Sequence, residues 1–265
     1  MGQTHKLSSE VVLITGSTSG IGLGIAEHFA GLGAAVVLNG FGDKTEIEAI
    51  RVRLNQMNSG KTLYFDADVT SETEIAQMFS ETKKQLGDVS ILINNAGIQH
   101  VSPIEKFPAK KWQQVIQVNL VSNFLTIQNA LPAMKERGWG RIINIASAHG
   151  LIASPYKSAY VAAKHGVLGM TKTVALEVAE MGITCNAICP GYVRTPLVDG
   201  QIADTAKARG LSEEEVIRDV ILGAQPTKKF VSVEEISGMA EFLCSDAAAS
   251  ITGTSQSMDG GWTAK

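Results

Sequence analysis

The chain has 265 residues, 45% of them hydrophobic and 18% charged, and its 23 Lys and Arg against 26 Asp and Glu leave a net charge of -3. Such a composition can bury a sizeable core, which excludes disordered, collagen-like and low-complexity chains. Without a basic excess there is nothing to neutralise a phosphate backbone, so nucleic acid is excluded as a partner.

Taken in chain order, short β-branched runs alternate with longer segments whose apolar residues recur at three-to-four spacing. The first strand, Val11 to Thr15, runs through Gly16-Ser17-Thr18-Ser19-Gly20-Ile21-Gly22 into an apolar helix, Ile21 to Leu32. Residues without Cβ at this junction let the chain turn tightly, bring a pyrophosphate close to the backbone and aim a helix N-terminus at its charge. A dinucleotide site is therefore expected here. The second strand, Ala35 to Asn39, ends where an acidic residue usually holds the NAD ribose, or a basic one the NADP phosphate. Asn39 and Phe41 carry neither charge, which tilts the expectation to NAD, and nearby Lys44 leaves NADP as the alternative.

Further strands are expected at Thr62 to Asp66, Ile91 to Asn94, Arg141 to Ala146, Ile183 to Ile188 and Ser255 to Met258. Helices are expected at Thr45 to Met57, Glu72 to Leu86, Trp112 to Met134 and Ser158 to Glu180. This alternation predicts right-handed crossovers and a doubly wound α/β fold: a seven-stranded parallel sheet with helices on both faces. No linker or repeat divides the chain, so residues 1–265 read as one domain. The turn-rich segment from Pro190 to Val231 fits the alternation least. An insertion after a late strand lies over the carboxyl ends of the strands, which predicts a substrate lid.

Polar residues punctuate the strand ends in order: Asn94-Asn95-Ala96-Gly97, Asn119 within a helix, Ser147, and Tyr160 with Lys164 four residues on, projecting from one helix face. Alcohol oxidation by hydride transfer needs a base, and bringing Tyr from about 10 to about 7 takes roughly 4 kcal/mol. A lysine charge near 4 Å supplies about that much at an effective dielectric of about 20. Together with the glycine motif these residues resemble the short-chain dehydrogenase/reductase superfamily along the whole chain. The resemblance implies a Rossmann-type fold and an oxidoreductase in which Tyr160 is the acid/base, Lys164 lowers its pKa, Ser147 orients the substrate and Asn119 anchors a water chain from Lys164. It also implies dinucleotide contacts from Gly16, Thr18, Ser19, Gly20, Ile21 and Gly22, from Asn39, Phe41, Asp68 and Val69, from Asn95, Ala96 and Gly97, and from Tyr160, Lys164, Pro190, Gly191, Val193 and Thr195.

The residues between these motifs, Asn95-Ala96-Gly97-Ile98-Gln99-His100, Ser147-Ala148-His149-Gly150, Lys157-Ser158-Ala159-Tyr160, Thr195-Pro196-Leu197-Val198 and the ending Gly260-Gly261-Trp262-Thr263-Ala264, resemble those of bacterial D-3-hydroxybutyrate dehydrogenases. That likeness implies NAD-dependent interconversion of (R)-3-hydroxybutyrate and acetoacetate. It assigns the substrate carboxylate to Gln99, His149, Lys157 and Gln201, with Tyr192 and Trp262 lining the pocket. Charge-assisted hydrogen bonds suit a small anion with little apolar surface. Tyr192 stands where that family usually has Trp, which bears on pocket volume, and Arg194 is a rival carboxylate ligand. His100 and His165 are expected to be structural or solvent-facing.

Alternatives in the same frame are an NADPH-dependent 3-oxoacyl-thioester reductase and a dinucleotide-sensing protein without catalysis. Cys185, Cys189 and Cys244 lack metal-ligand spacing, so buried reduced thiols and no metal are expected. The polar start from Met1 to Glu10 has no signal-peptide pattern, Lys6 stands where a myristoylation signal needs Ser or Thr, and no apolar run approaches a membrane span. A cytoplasmic enzyme without membrane partners is the expectation. Helices Trp112 to Met134 and Ser158 to Glu180 carry small or apolar residues over more of their circumference than one sheet face needs, and they resemble the superfamily's subunit-contact helices. A homotetramer is expected from them.

Overall fold

The computed structural model of the protein describes residues 7–195, 198, 199, 202, 206, 207 and 210–264. Gln201 lies outside these described residues, as do Pro196 and Leu197.

Seven strands, β1 (Val11–Ile14), β2 (Ala35–Asn39), β3 (Thr62–Phe65), β4 (Ile91–Asn94), β5 (Gly140–Ile145), β6 (Ile183–Pro190) and β7 (Ser255–Met258), form one sheet in the order β3-β2-β1-β4-β5-β6-β7. Every neighbouring pair is parallel. The α-helices with both ends among the described residues are α1 (Gly20–Gly31), α2 (Lys44–Met57), α3 (Glu72–Leu86), α4 (Ala109–Ile116), α5 (Ser122–Arg137), α6 (Ser158–Glu177), a single turn α7 (Glu213–Glu215) and α8 (Val233–Cys244).

Both sheet faces are covered, which is why the strands read as continuous β-branched runs. Val12, Ile14, Leu38, Ile93 and Ile143 pack on one face against Ile25 and Phe29 of α1 and Ile236 and Leu243 of α8. Leu13, Val37, Leu92 and Ile142 point the other way, onto Met78 of α3, Ile127 and Met134 of α5 and Val174 of α6. The strand order reverses between β1 and β4, and a crevice opens outside the carboxyl ends of strands at such a switch point.

Several boundaries depart from the sequence pattern, among them the end of α6, which stops at Glu177 rather than Glu180. The helix expected over Trp112 to Met134 begins earlier, at Ala109 after Pro108, and is broken into α4 and α5 by a π-helical stretch, Gln117–Val121. Within that stretch the Asn119 side chain donates to the carbonyls of Val115 and Ile98, both at 2.8 Å. An amide bonding the carbonyl four residues back competes with the regular ladder, and single π turns of this kind concentrate at functional sites. α5 then continues to Arg137 and stops at Gly138, whose φ of 68° is the left-handed conformation of a helix end. Strand β6 runs two residues past Ile188, because Cys189 and Pro190 pair with Ser257 and Met258.

The segment after β6 is tied at its base by a parallel bridge between Val193 and Val231, with the Val231 N–H donating to the Tyr192 carbonyl at 2.9 Å. Ile202, Val216, Ile221 and Leu222 form a small apolar cluster of their own beneath it, with Tyr192, Val198 and Phe230 packed alongside.

Candidate active site

A cleft of about 1270 Å³ lies over the carboxyl ends of the strands, running from Gly16 and Asn39 at one end to Ser147 and Trp262 at the other. The first half is built from backbone. Asn95 donates its side-chain amide to the carbonyls of Thr15 and Gly16, each at 2.9 Å, while the Thr15 hydroxyl accepts from the backbone N–H groups of Asn95 and Ala96 at 3.0 Å. The turns after β1 and β4 are thereby stitched together. Gly22 has no space for a side chain: a Cβ there would strike the Gly16 carbonyl oxygen and come within 2.5 Å of the Asn95 amide nitrogen. Ser19 precedes α1 without a side-chain cap, and the first turn of α1 holds no acidic residue. Uncapped N–H groups at the start of a long helix, facing a cleft with room for a dinucleotide, are what a pyrophosphate requires.

Asn39 is buried and its amide donates to the Ala67 carbonyl at 2.8 Å, so its side chain shapes the floor of the cleft. Thr18 donates to the Phe41 carbonyl at 2.9 Å, leaving the Phe41 ring largely exposed at the rim. No lysine or arginine of the β2 end is among the lining residues, Lys44 included. Asp68 and Val69 follow β3 along the same wall, with Asp68 the single carboxylate among the described lining residues.

The second half is built from side chains. Ser147 ends β5, and its hydroxyl accepts the backbone N–H of His149 at 3.1 Å. Tyr160, from α6, is half-buried and lines the cleft with Ser147. Lys164, one helical turn on, places its ammonium 5.6 Å from the Tyr160 ring centre and donates to the Ile145 carbonyl at 2.7 Å. Burial pushes the Tyr160 phenol up and the Lys164 ammonium down to about 8, and the hydrogen bond from Ser147 partly opposes the rise in Tyr160. Asn119 reaches the cleft with its Oδ1 buried and without a hydrogen-bond partner.

Around this group stands an aromatic wall. Tyr192 and Trp262 stack with ring centres 5.6 Å apart and planes within 5°, and His149 meets the Trp262 ring edge-on at 5.1 Å. The Lys157 ammonium sits 5.9 Å from the Tyr192 ring centre. Burial lowers its pKa, and none of the ion pairs or hydrogen bonds among the described residues gives it a carboxylate. His149 is 5% exposed and held down to about 4, first by burial and then by Lys157 and His165, so it is neutral at physiological pH. Both of its ring nitrogens face hydroxyls, Nε2 that of Ser154 at 2.8 Å and Nδ1 that of Ser147 at 3.5 Å.

The cleft thus brings together Asn119, Ser147, Tyr160 and Lys164, the substrate candidates Gln99, His149, Lys157, Tyr192 and Trp262, and the expected dinucleotide residues from Gly16 to Thr195, except that Gly20 and Gly22 stand behind its surface. Arg194 is elsewhere, paired with Asp199 at 2.8 Å and lying near the Phe230 ring, and is not part of the lining. His100 packs edge-on against Phe107, and His165 bonds its own helix at the Val161 carbonyl. Sequence reasoning missed the face of α4: Lys110, Gln113, Gln114 and Gln117 all line the cleft. Their spacing of three, four and seven on a helix was the available signal. It also missed Ser154, which no motif marks.

An uncapped glycine-turn helix beside a Ser-Tyr-Lys group defines a dinucleotide-dependent oxidoreductase, and the chain belongs to the short chain dehydrogenase family, whose model matches residues 10–206. It is 57% identical over 257 residues to a D-beta-hydroxybutyrate dehydrogenase of Rhizobium meliloti (strain 1021), covering 97% of this chain and 100% of that one. A D-beta-hydroxybutyrate dehydrogenase of Cupriavidus necator is 48% identical over 260 residues, covering 98% of this chain and 100% of the other. Among solved structures, an actinorhodin polyketide ketoreductase variant with NADPH superposes with a TM-score of 0.89 over 100% of both chains at 32% identity.

Proposed function

We propose that the protein interconverts (R)-3-hydroxybutyrate and acetoacetate with NAD, its two near relatives being D-beta-hydroxybutyrate dehydrogenases. The observation that carries the substrate is Lys157, a half-buried cation without a carboxylate partner among the described residues, lining the cleft together with Ser147 and Tyr160. A desolvated charge facing a cavity calls for an anion. Lys157 and Gln99 hold the substrate carboxylate, and the Tyr192–Trp262 stack walls the short carbon chain.

When bound, NAD supplies the hydride acceptor and a positive nicotinamide charge. Tyr160 takes the hydroxyl proton, Ser147 hydrogen-bonds the reacting oxygen, and Lys164, cationic below about pH 8, favours the phenolate. The free Oδ1 of Asn119 is an acceptor for water leading from Lys164. The absence of a lysine or arginine from the β2 end of the cleft supports NAD over NADP, in contrast to the ketoreductase crystallised with NADPH. Residues 190–231 act as a lid within a single domain, with Ile202, Val216, Ile221 and Leu222 as an apolar cluster of its own.

The protein assembles as a homotetramer through α5 and α6, which leave Phe124 50% and Leu176 80% exposed. The cytoplasm suits its three free, buried thiols, held protonated by burial at about 12, 11 and 12 for Cys185, Cys189 and Cys244. Among the described residues no helix is long and apolar enough to cross a membrane.

The test is steady-state oxidation of (R)- and (S)-3-hydroxybutyrate with NAD and with NADP. Turnover of the (R) enantiomer with NAD is expected. Equal rates for both enantiomers, or activity confined to NADP, would overturn the assignment.

A further inference from the structure

The seven residues between the turn that carries His149 and the helix that carries Tyr160 hold a side chain whose contact has a consequence for the chemistry. Ser154 Oγ lies 2.8 Å from His149 Nε2. On the other side of the ring, His149 Nδ1 lies 3.5 Å from Ser147 Oγ, and that hydroxyl already accepts the backbone N–H of His149 at 3.1 Å. A neutral imidazole has one N–H and one bare nitrogen, and the partner of one nitrogen decides the state of the other. Ser147 has a single proton to donate. For dehydrogenation that proton must point to Tyr160 or to the substrate oxygen, so toward His149 the Ser147 oxygen can only accept.

We propose that Ser154 is a positioning residue that donates its hydroxyl to His149 Nε2 and so fixes the Nδ1–H tautomer, which presents a donor to Ser147 and to the cleft. The opposite tautomer would place a bare Nδ1 beside Ser147 and draw its proton away from the reacting oxygen. It would also turn a lone pair toward an anionic substrate, which an electron-rich nitrogen repels. His149 serves the reaction as a neutral donor held in register by Ser154, with its ring clamped edge-on against Trp262 at 5.1 Å and Tyr160 at 6.0 Å. The row Ser154, His149, Ser147 is then ordered, and the Ser147 proton stays free for Tyr160 or the substrate oxygen. This inference rests on the dehydrogenase reading, but its first test does not.

That test is a long-range proton–nitrogen correlation spectrum of the full-length protein labelled with ¹⁵N-histidine, with His149 assigned by comparison with His149→Asn. A protonated Nδ1 and a bare Nε2 are expected; a protonated Nε2 overturns the proposal whatever the enzyme oxidises. The second arm is kinetic. Ser154→Ala is expected to lower kcat/KM for the hydroxy acid about tenfold while leaving KM for NAD within about twofold, and Ser154→Thr, which keeps the hydroxyl, recovers most of the loss. A purely structural role would depress both substrates together and lower the melting temperature of the alanine variant. Equal defects in the alanine and threonine variants, or no defect in either, would also overturn it. In a His149→Asn background, Ser154→Ala should cost nothing further, because the residue through which it acts is gone. Additive losses would show that Ser154 acts by another route.

Discussion

The two halves of the cleft are made of different material. At the β1–β2 end the ligand-facing surface is backbone and small side chains, fixed by glycine and by the Asn95 and Thr15 hydrogen bonds that join two turns. At the β5–β6 end it is made of long side chains from three separate places in the chain, Lys157 and Tyr160, Tyr192, and Trp262, held by ring stacking and single hydrogen bonds. A backbone surface recognises what all dinucleotides share, and it tolerates no added atoms. A side-chain surface recognises one substrate, and it can be altered one function at a time. Substitutions in the first half should therefore damage cofactor binding and folding together, whereas those in the second should separate substrate binding from chemistry.

Three substitutions sharpen that contrast, beginning with the largest effect. Tyr160→Phe removes the proposed carrier of the substrate proton and is expected to lower kcat about a thousandfold, with NAD binding by fluorescence titration nearly unchanged. Gly22→Val puts branched carbon where the Gly16 carbonyl, the Asn95 amide and the Ser17 Cα at 2.9 Å already stand. NAD affinity should fall by about a hundredfold or more and the melting temperature should drop with it, as for overpacking of a filled site. A variant that lost NAD affinity but kept its stability would break the comparison. Lys157→Ala should raise KM for 3-hydroxybutyrate about thirtyfold, the lower end of what removal of one partner of a desolvated ion pair costs, with KM for NAD unmoved. An unchanged KM for the hydroxy acid would take Lys157 out of the carboxylate site.

The same division decides what could be read without coordinates. The backbone half is written in local sequence, since a glycine turn between a strand and a helix has the same meaning wherever it occurs, and the strand limits were legible to within two residues. The fold was legible for a related reason: strands buried on both faces become unmistakable apolar runs. The side-chain half depends on partners far apart in sequence. That Trp262 stacks on Tyr192, seventy positions earlier, follows only from β7 lying beside β6. The π-helical stretch at Asn119 is a compromise between a regular ladder and one amide's bonds to Val115 and Ile98, and apolar periodicity passes through it undisturbed. Ser154 carries no signal at all, because its importance lies in facing one nitrogen of one histidine.

A site made of side chains also titrates, and this gives the smallest of the expected effects. His149 is depressed from 6.5 to about 4, chiefly by burial. In the unfolded chain it takes up a proton near pH 6.5, while in the folded protein it resists until about pH 4. Proton uptake therefore favours unfolding progressively as the pH falls from 6.5 to 4, and the stability held by the neutral ring is complete only above about 6.5. The ring's contribution is bounded at about 3 kcal/mol. The melting temperature should decline by several degrees across that window, and His149→Gln, which removes the titrating ring, should flatten the decline. The glycine half of the cleft is built from backbone and small side chains instead. Acid between pH 6.5 and 4 should consequently loosen the grip on the hydroxy acid before it affects that on NAD, and an equal loss of both affinities would show that the two halves are one cooperative structure.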